Sequence, residues 1–138
     1  MNRDDFQHLS RIRIKEARVL LESGLYHGAY YLGGYAVECA IKACICKQAR
    51  RYDFPDKDFA KDVFSHDLEK LMGLAGLKRE LEQQKTSSKD FGVKWALVAN
   101  WNESTRYETA VSKILARDFY AACTARQSGV LPWIRKRW

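Results

Sequence analysis

Apolar positions recur at helical spacing from the start of the chain. Phe6, Leu9, Ala17, Leu20 and Leu21 share a face, Arg11, Lys15, Arg18 and Glu22 fall between them, and Gly24 supplies a stop. This pattern predicts a first, amphipathic helix. From His27 to about Gln48 the chain is apolar on most faces, until Arg50, Arg51, Asp53 and Pro55 break the periodicity. That is the signature of a buried central helix. Gly28 to Cys46 is apolar enough to resemble a membrane span, but Glu38 and Lys42 near its middle are expensive in lipid, so a core helix and no membrane association are expected.

Downstream, Ser65-His66-Asp67-Leu68-Glu69-Lys70-Leu71 places polar residues at a helix start and acids in its first turn, with a stop around Gly73 to Gly76. Leu77 to Gln84 continues as another helical piece, and Lys85-Thr86-Ser87-Ser88 reads as a surface loop. Phe91, Trp95 and Val98 keep helical intervals, although Val93 to Val98 alone also fits a strand. Thr105-Arg106-Tyr107-Glu108 matches a capping box, which starts the final helix at Thr105 and carries it through Ala110, Ile114, Ala121 and Ala122 to an end near Gly129 and Pro132. Hairpin signals and internal repeats are lacking. The fold class expected is all-α, a bundle of about five helices.

Composition agrees with one globular core. The 138 residues are 46% apolar and 30% charged with two prolines, which excludes disorder and fibrous classes. Residues 1–138 therefore form a single domain with a short basic C-terminal tail. The 24 Lys and Arg exceed the 17 Asp and Glu, a net charge of +7 that favours an acidic partner such as nucleic acid or a nucleotide. Cys39, Cys44, Cys46 and Cys123 contain no C-x-x-C pair and read as reduced, structural thiols. Their offsets do not suit a tetrahedral site, so neither metal nor cofactor is expected. Met1 to Asp5 opens with charges and lacks the apolar block of a secretion signal, and a cytoplasmic location is expected.

The chemistry concentrates on the second helix. His27, Tyr31, Tyr35, Glu38 and Lys42 step by four, four, three and four residues, one polar line along the helix. Gly33 and Gly34 beside it allow another backbone or a ligand to come close. A buried Glu38 demands a charged or hydrogen-bonding partner. Lys42 alone satisfies that demand if the tyrosines are packing residues. Arg106, in the first turn expected for the final helix, opposes the helix dipole and calls for an acid such as Glu38 or Glu103, or for a phosphate. Trp101, Tyr107, Trp95 and Trp133 read first as packing anchors and second as base-stacking platforms. His66 reads as a capping residue or as an acid–base group. Arg135, Lys136, Arg137 and Trp138 read as a solvated basic tail.

Gly28-Ala29-Tyr30-Tyr31-Leu32-Gly33-Gly34-Tyr35-Ala36-Val37-Glu38, then His66-Asp67-Leu68, then Trp101 with Arg106-Tyr107 resemble, in that order, the HEPN (higher eukaryotes and prokaryotes nucleotide-binding) domain family over nearly the whole chain. The resemblance implies an up-and-down helical bundle, commonly a homodimer, often encoded beside a minimal nucleotidyltransferase in a toxin–antitoxin or related system. Many such proteins are metal-independent RNases that use an Arg followed after four to six residues by a His. Here the candidate positions after Arg106 are Val111, Ser112 and Lys113. Arg3 and His8 fit the spacing but lie outside the motif region, so no catalytic residue is assigned.

Two functional expectations follow. The first is a non-catalytic protein whose cleft, lined by Tyr31, Tyr35, Glu38, Lys42, His66, Trp101, Arg106 and Tyr107, binds a nucleotide, RNA or a minimal nucleotidyltransferase. The alternative is a metal-independent RNase with altered catalytic residues, in which Arg106 meets the phosphate and His66, a tyrosine or Glu38 replaces the missing base.

Overall fold

A computed structural model describes residues 1–49, 61–107 and 110–138, including the backbone but not the side chain of Arg106. Its helices are α1 (Arg3–Glu22), α2 (Tyr26–Ala49), α3 (Leu68–Leu74), α4 (Lys78–Ser87), α5 (Lys89–Ala99), a 3-10 segment (Glu103–Tyr107), α6 (Lys113–Thr124) and α7 (Val130–Arg135). The bundle is all-α, with no strand among the described residues. Phe91, Trp95 and Val98 thus lie on a helix, and their apolar side chains share its buried face. The break expected at Arg50 to Pro55 lies outside the described residues.

α1 and α2 form a helical hairpin that organises the rest. Asn2 and Asp5 close a capping box at the start of α1, each side chain accepting from the other's backbone N–H at 2.9 Å. Gly24 ends the hairpin turn at φ +78°, a backbone conformation that costs glycine nothing. The Ser10 hydroxyl donates to the Ala36 carbonyl at 2.8 Å inside the contact, so a polar residue on the buried face of α1 is satisfied.

From Ala36 to Ile45, α2 is buried on every face. Ala36, Val37, Ala40, Ile41 and Ala43 are fully buried, and the alanines let neighbouring helices approach closely. Ile14 and Ala17 of α1, Leu68, Leu71 and Met72 of α3, Phe91, Trp95 and Val98 of α5, Phe119 and Ala122 of α6, and Leu131 and Ile134 of α7 complete one continuous core.

Three local expectations need correction. The Lys85 to Ser88 segment is not a loop, because α4 runs to Ser87 and only Ser88 breaks out to cap α5. The Thr86 and Ser87 hydroxyls donate back to the Glu82 and Gln83 carbonyls, and Lys85 pairs with Glu82 at 2.9 Å, so polar residues extend this helix. The final long helix does not begin at Thr105. It begins at Lys113 with Ser112 as the N-cap, whose hydroxyl accepts from the Leu115 N–H at 3.0 Å. Residues 103–107 form the 3-10 segment instead. Finally, the basic tail is not a loose extension: Gly129 starts a new helix, α7, and Pro132 sits in its first turn, where a missing N–H costs nothing.

Candidate functional site

The polar line on α2 is the seam along which two other segments dock. At its first position His27 Nε2 meets the Thr105 carbonyl oxygen. One turn on, the Tyr31 ring lies 6.2 Å from that of Trp101, and the Tyr35 ring lies 6.4 Å from that of His66. Glu38 and Lys42 follow, both buried. Thus the 99–105 segment and the turn before α3 cover the line that the spacing assigned to a partner or cleft.

Thr105 does not cap a helix, and its carbonyl meets the His27 imidazole. The Thr105 N–H and hydroxyl both turn back to the Asn102 carbonyl, closing a tighter turn. Arg106 therefore belongs to a 3-10 segment and not to the first turn of an α-helix; its side chain is outside the described residues.

Glu38 is 1% exposed, and each of its oxygens has a partner. Oε2 accepts from Lys42 Nζ at 3.1 Å, one turn along the same helix. Oε1 lies 2.6 Å from His66 Nδ1. The other ring nitrogen, Nε2, lies 2.9 Å from Glu103 Oε2. The result is a four-membered chain, Lys42, Glu38, His66 and Glu103, running from the core to the surface. An ionised carboxylate only accepts hydrogen bonds, so each contact of the imidazole needs a proton. With both carboxylates ionised the ring carries both protons, and the four groups alternate in sign.

His66 is not a cap. Asp67 holds that position, its carboxylate accepting from the Lys70 N–H at 3.2 Å, which leaves the preceding histidine to turn toward α2. Burial, reinforced by the Glu38 carboxylate, raises the Tyr35 phenol above its ordinary value and keeps it a neutral hydroxyl. The same two causes, burial first, push the Cys39 thiol up to about 11.

The surface end of the chain borders a cavity of about 450 Å³ lined by Ser65, His66, Asp67, Ala99, Asn100, Trp101, Asn102 and Glu103. Of the seven expected cleft residues whose side chains are described, His66 and Trp101 line it. Tyr31 and Tyr35 pack behind Trp101 and His66, while Glu38 and Lys42 support the site from the core. Tyr107 is 75% exposed and does not line the cavity.

Trp101 owes its place to Gly34: a Cβ at that position would stand 2.1 Å from the indole. Phe119 uses Gly33 in the same way, at 3.1 Å. The glycine pair thus admits side chains of this chain where a partner backbone or a ligand was expected. Glu103, Asn100 and Asn102 were not singled out as lining residues by sequence. They lie between helices, where periodicity carries no signal, and Glu103 appeared only as a partner for Arg106. Glu38 and Glu103 approach opposite nitrogens of His66, so these three groups do not converge on one point as metal ligands would.

A small helical bundle with a charged chain leading from its central helix to a polar surface cavity defines a class of domain. The model of the HEPN domain matches residues 10–137, and the chain belongs to that family. No curated protein and no solved structure matches it. Among the described residues no helix is long and apolar enough to cross a membrane. The family match supports a nucleotide- or RNA-related role.

Proposed function

We propose that this protein binds rather than cleaves, and that the cavity beside His66 receives the base or ribose face of a nucleotide or RNA residue. It would work as a homodimer beside a minimal nucleotidyltransferase in a toxin–antitoxin-like or defence-like pair, in the cytoplasm. One observation carries the non-catalytic reading: both nitrogens of His66 are engaged by carboxylates, Nδ1 by Glu38 and Nε2 by Glu103. A histidine held at both ends orients its neighbours and has no nitrogen left for a substrate proton. The other positions for a histidine, separated from Arg106 by four to six intervening residues, are occupied by Val111, Ser112 and Lys113.

The lining supports the choice of ligand face. Ser65, Asp67, Asn100, Asn102 and Glu103 present oxygen acceptors suited to amino and hydroxyl groups, and the two carboxylates disfavour a phosphate at this spot. Calorimetry with ATP, anisotropy with a short labelled RNA and co-purification with a neighbouring nucleotidyltransferase test the reading. Binding in at least one assay, with RNA left intact in EDTA, is the expected result; failure of all three overturns it.

The alternative reading, a metal-independent RNase with His66 as the acid–base group, draws on the 34% exposure of that side chain at the cavity wall. It requires Glu103 to release Nε2 when substrate arrives. RNA cleavage in EDTA that disappears in His66→Gln would establish it in place of the binding role.

A further inference from the structure

The basic C-terminal residues, which play no part in the cavity, are built into a second surface. Arg3 donates through Nη2 to the Trp138 carbonyl at 2.9 Å, which holds the residues that follow α7 against α1. Two cations lie over the Trp138 ring: the Arg11 guanidinium carbon is 4.9 Å from its centroid and that of Arg135 is 5.7 Å away. Arg11, Ile14, Lys15, Arg135 and Trp138 line a depression of about 390 Å³.

Among the described residues, no carboxylate pairs with these charges. Among the described residues, ion pairs engage Arg13, Lys42, Lys70, Lys85, Lys94 and Arg137, and none engages Arg11, Lys15, Arg18 or Arg135. Burial, followed by the charge of Arg11, lowers the Arg135 guanidinium from its ordinary value. Arg11, Lys15 and Arg18 are exposed and lie at i, i+4 and i+7 on α1. They form one stripe with steps of roughly 6 and 4.5 Å along the helix axis.

We infer that Arg11, Lys15, Arg18 and Arg135 form a phosphate-tracking surface, separate from the His66 cavity, that takes the phosphodiester backbone of a nucleic-acid strand. An anion relieves the repulsion between Arg11 and Arg135, and a row of cations fits successive phosphates better than one isolated phosphate. The guanidiniums over Trp138 leave its ring to position them and not to stack on bases, so recognition is of backbone without sequence. The inference builds on the nucleotide- or RNA-related reading and extends it from a cavity to a strand.

The test is anisotropy of a fluorescein-labelled single-stranded RNA, and of DNA of the same sequence, titrated with the full chain over a range of salt. Removing two phosphate contacts in R11Q/R135Q weakens binding about 25-fold at about 0.1 M salt, and makes the log–log salt dependence shallower by about 1.4, for both strands. R11K/R135K retains most of the affinity, and circular dichroism verifies that both variants are folded. Unchanged affinity and salt slope in R11Q/R135Q, or no strand binding by the wild type, overturns the inference. ATP binding lost in Glu103→Gln and retained in R11Q/R135Q would leave the cavity reading standing by itself.

Discussion

The carboxylate of Glu38, buried in the central helix, lies 2.6 Å from Nδ1 of His66, 28 positions further along the chain. This contact ties the turn before α3 to the middle of α2 and leaves Lys42 with a paired counter-ion. Glu38→Gln removes the charge and leaves the buried ammonium of Lys42 unanswered. A loss of about 3–5 kcal/mol in urea-denaturation stability is expected. Lys42→Met in the same chain should recover part of that loss, because the stranded cation is then gone.

The outer half of the relay is weaker. His66 and Glu103 are each about one-third exposed, at 34% and 38%, so water screens their attraction. A double-mutant cycle with His66→Gln and Glu103→Gln should give a coupling of about 1 kcal/mol or less. ATP titration of Glu103→Gln should nonetheless show reduced binding, since this carboxylate lines the cavity.

Gly34 exists for Trp101. Gly34→Ala places a methyl group where the indole lies and should cost about 1–3 kcal/mol by overpacking. In a Trp101→Ala background the same substitution should be nearly neutral. Additive effects in thermal denaturation would show that the indole is not what requires glycine there.

The thiols set a limit at alkaline pH. Burial raises Cys39 and Cys44 from 9.0 to about 11. The folded state thus holds its protons where the unfolded chain has lost them. The contribution is fully present below about pH 9 and is lost as pH rises through about 11. It amounts to something on the order of 2 kcal/mol per thiol. Urea denaturation at pH 8 and pH 11 should show a smaller loss in Cys39→Ala/Cys44→Ala than in the wild type.

Much of this architecture is legible in the chain before any coordinates. The apolar run through α2 predicts a buried helix because no other element hides every face, and Glu38 and Lys42 stand out as a pair one turn apart within it. The ends of α1 and α3 follow from Gly24 and from the Asp67 cap, both local devices. The match of residues 10–137 to the HEPN model agrees with motifs that are contiguous or nearly so.

Relations between distant segments depend on tertiary structure. Thr105-Arg106-Tyr107-Glu108 has the residues of a capping box, yet the Thr105 hydroxyl turns back to the Asn102 carbonyl and Ser112 starts the helix instead. The tail from Arg135 to Trp138 has the composition of a solvated run, yet Arg3 and Arg11 of α1 hold its tryptophan. Helical periodicity states which face of α2 is polar and that Glu38 needs a partner. Only packing brings His66 to it and Glu103 to His66, because residues between the α-helices carry no period and their contacts are chosen by where the helices place them.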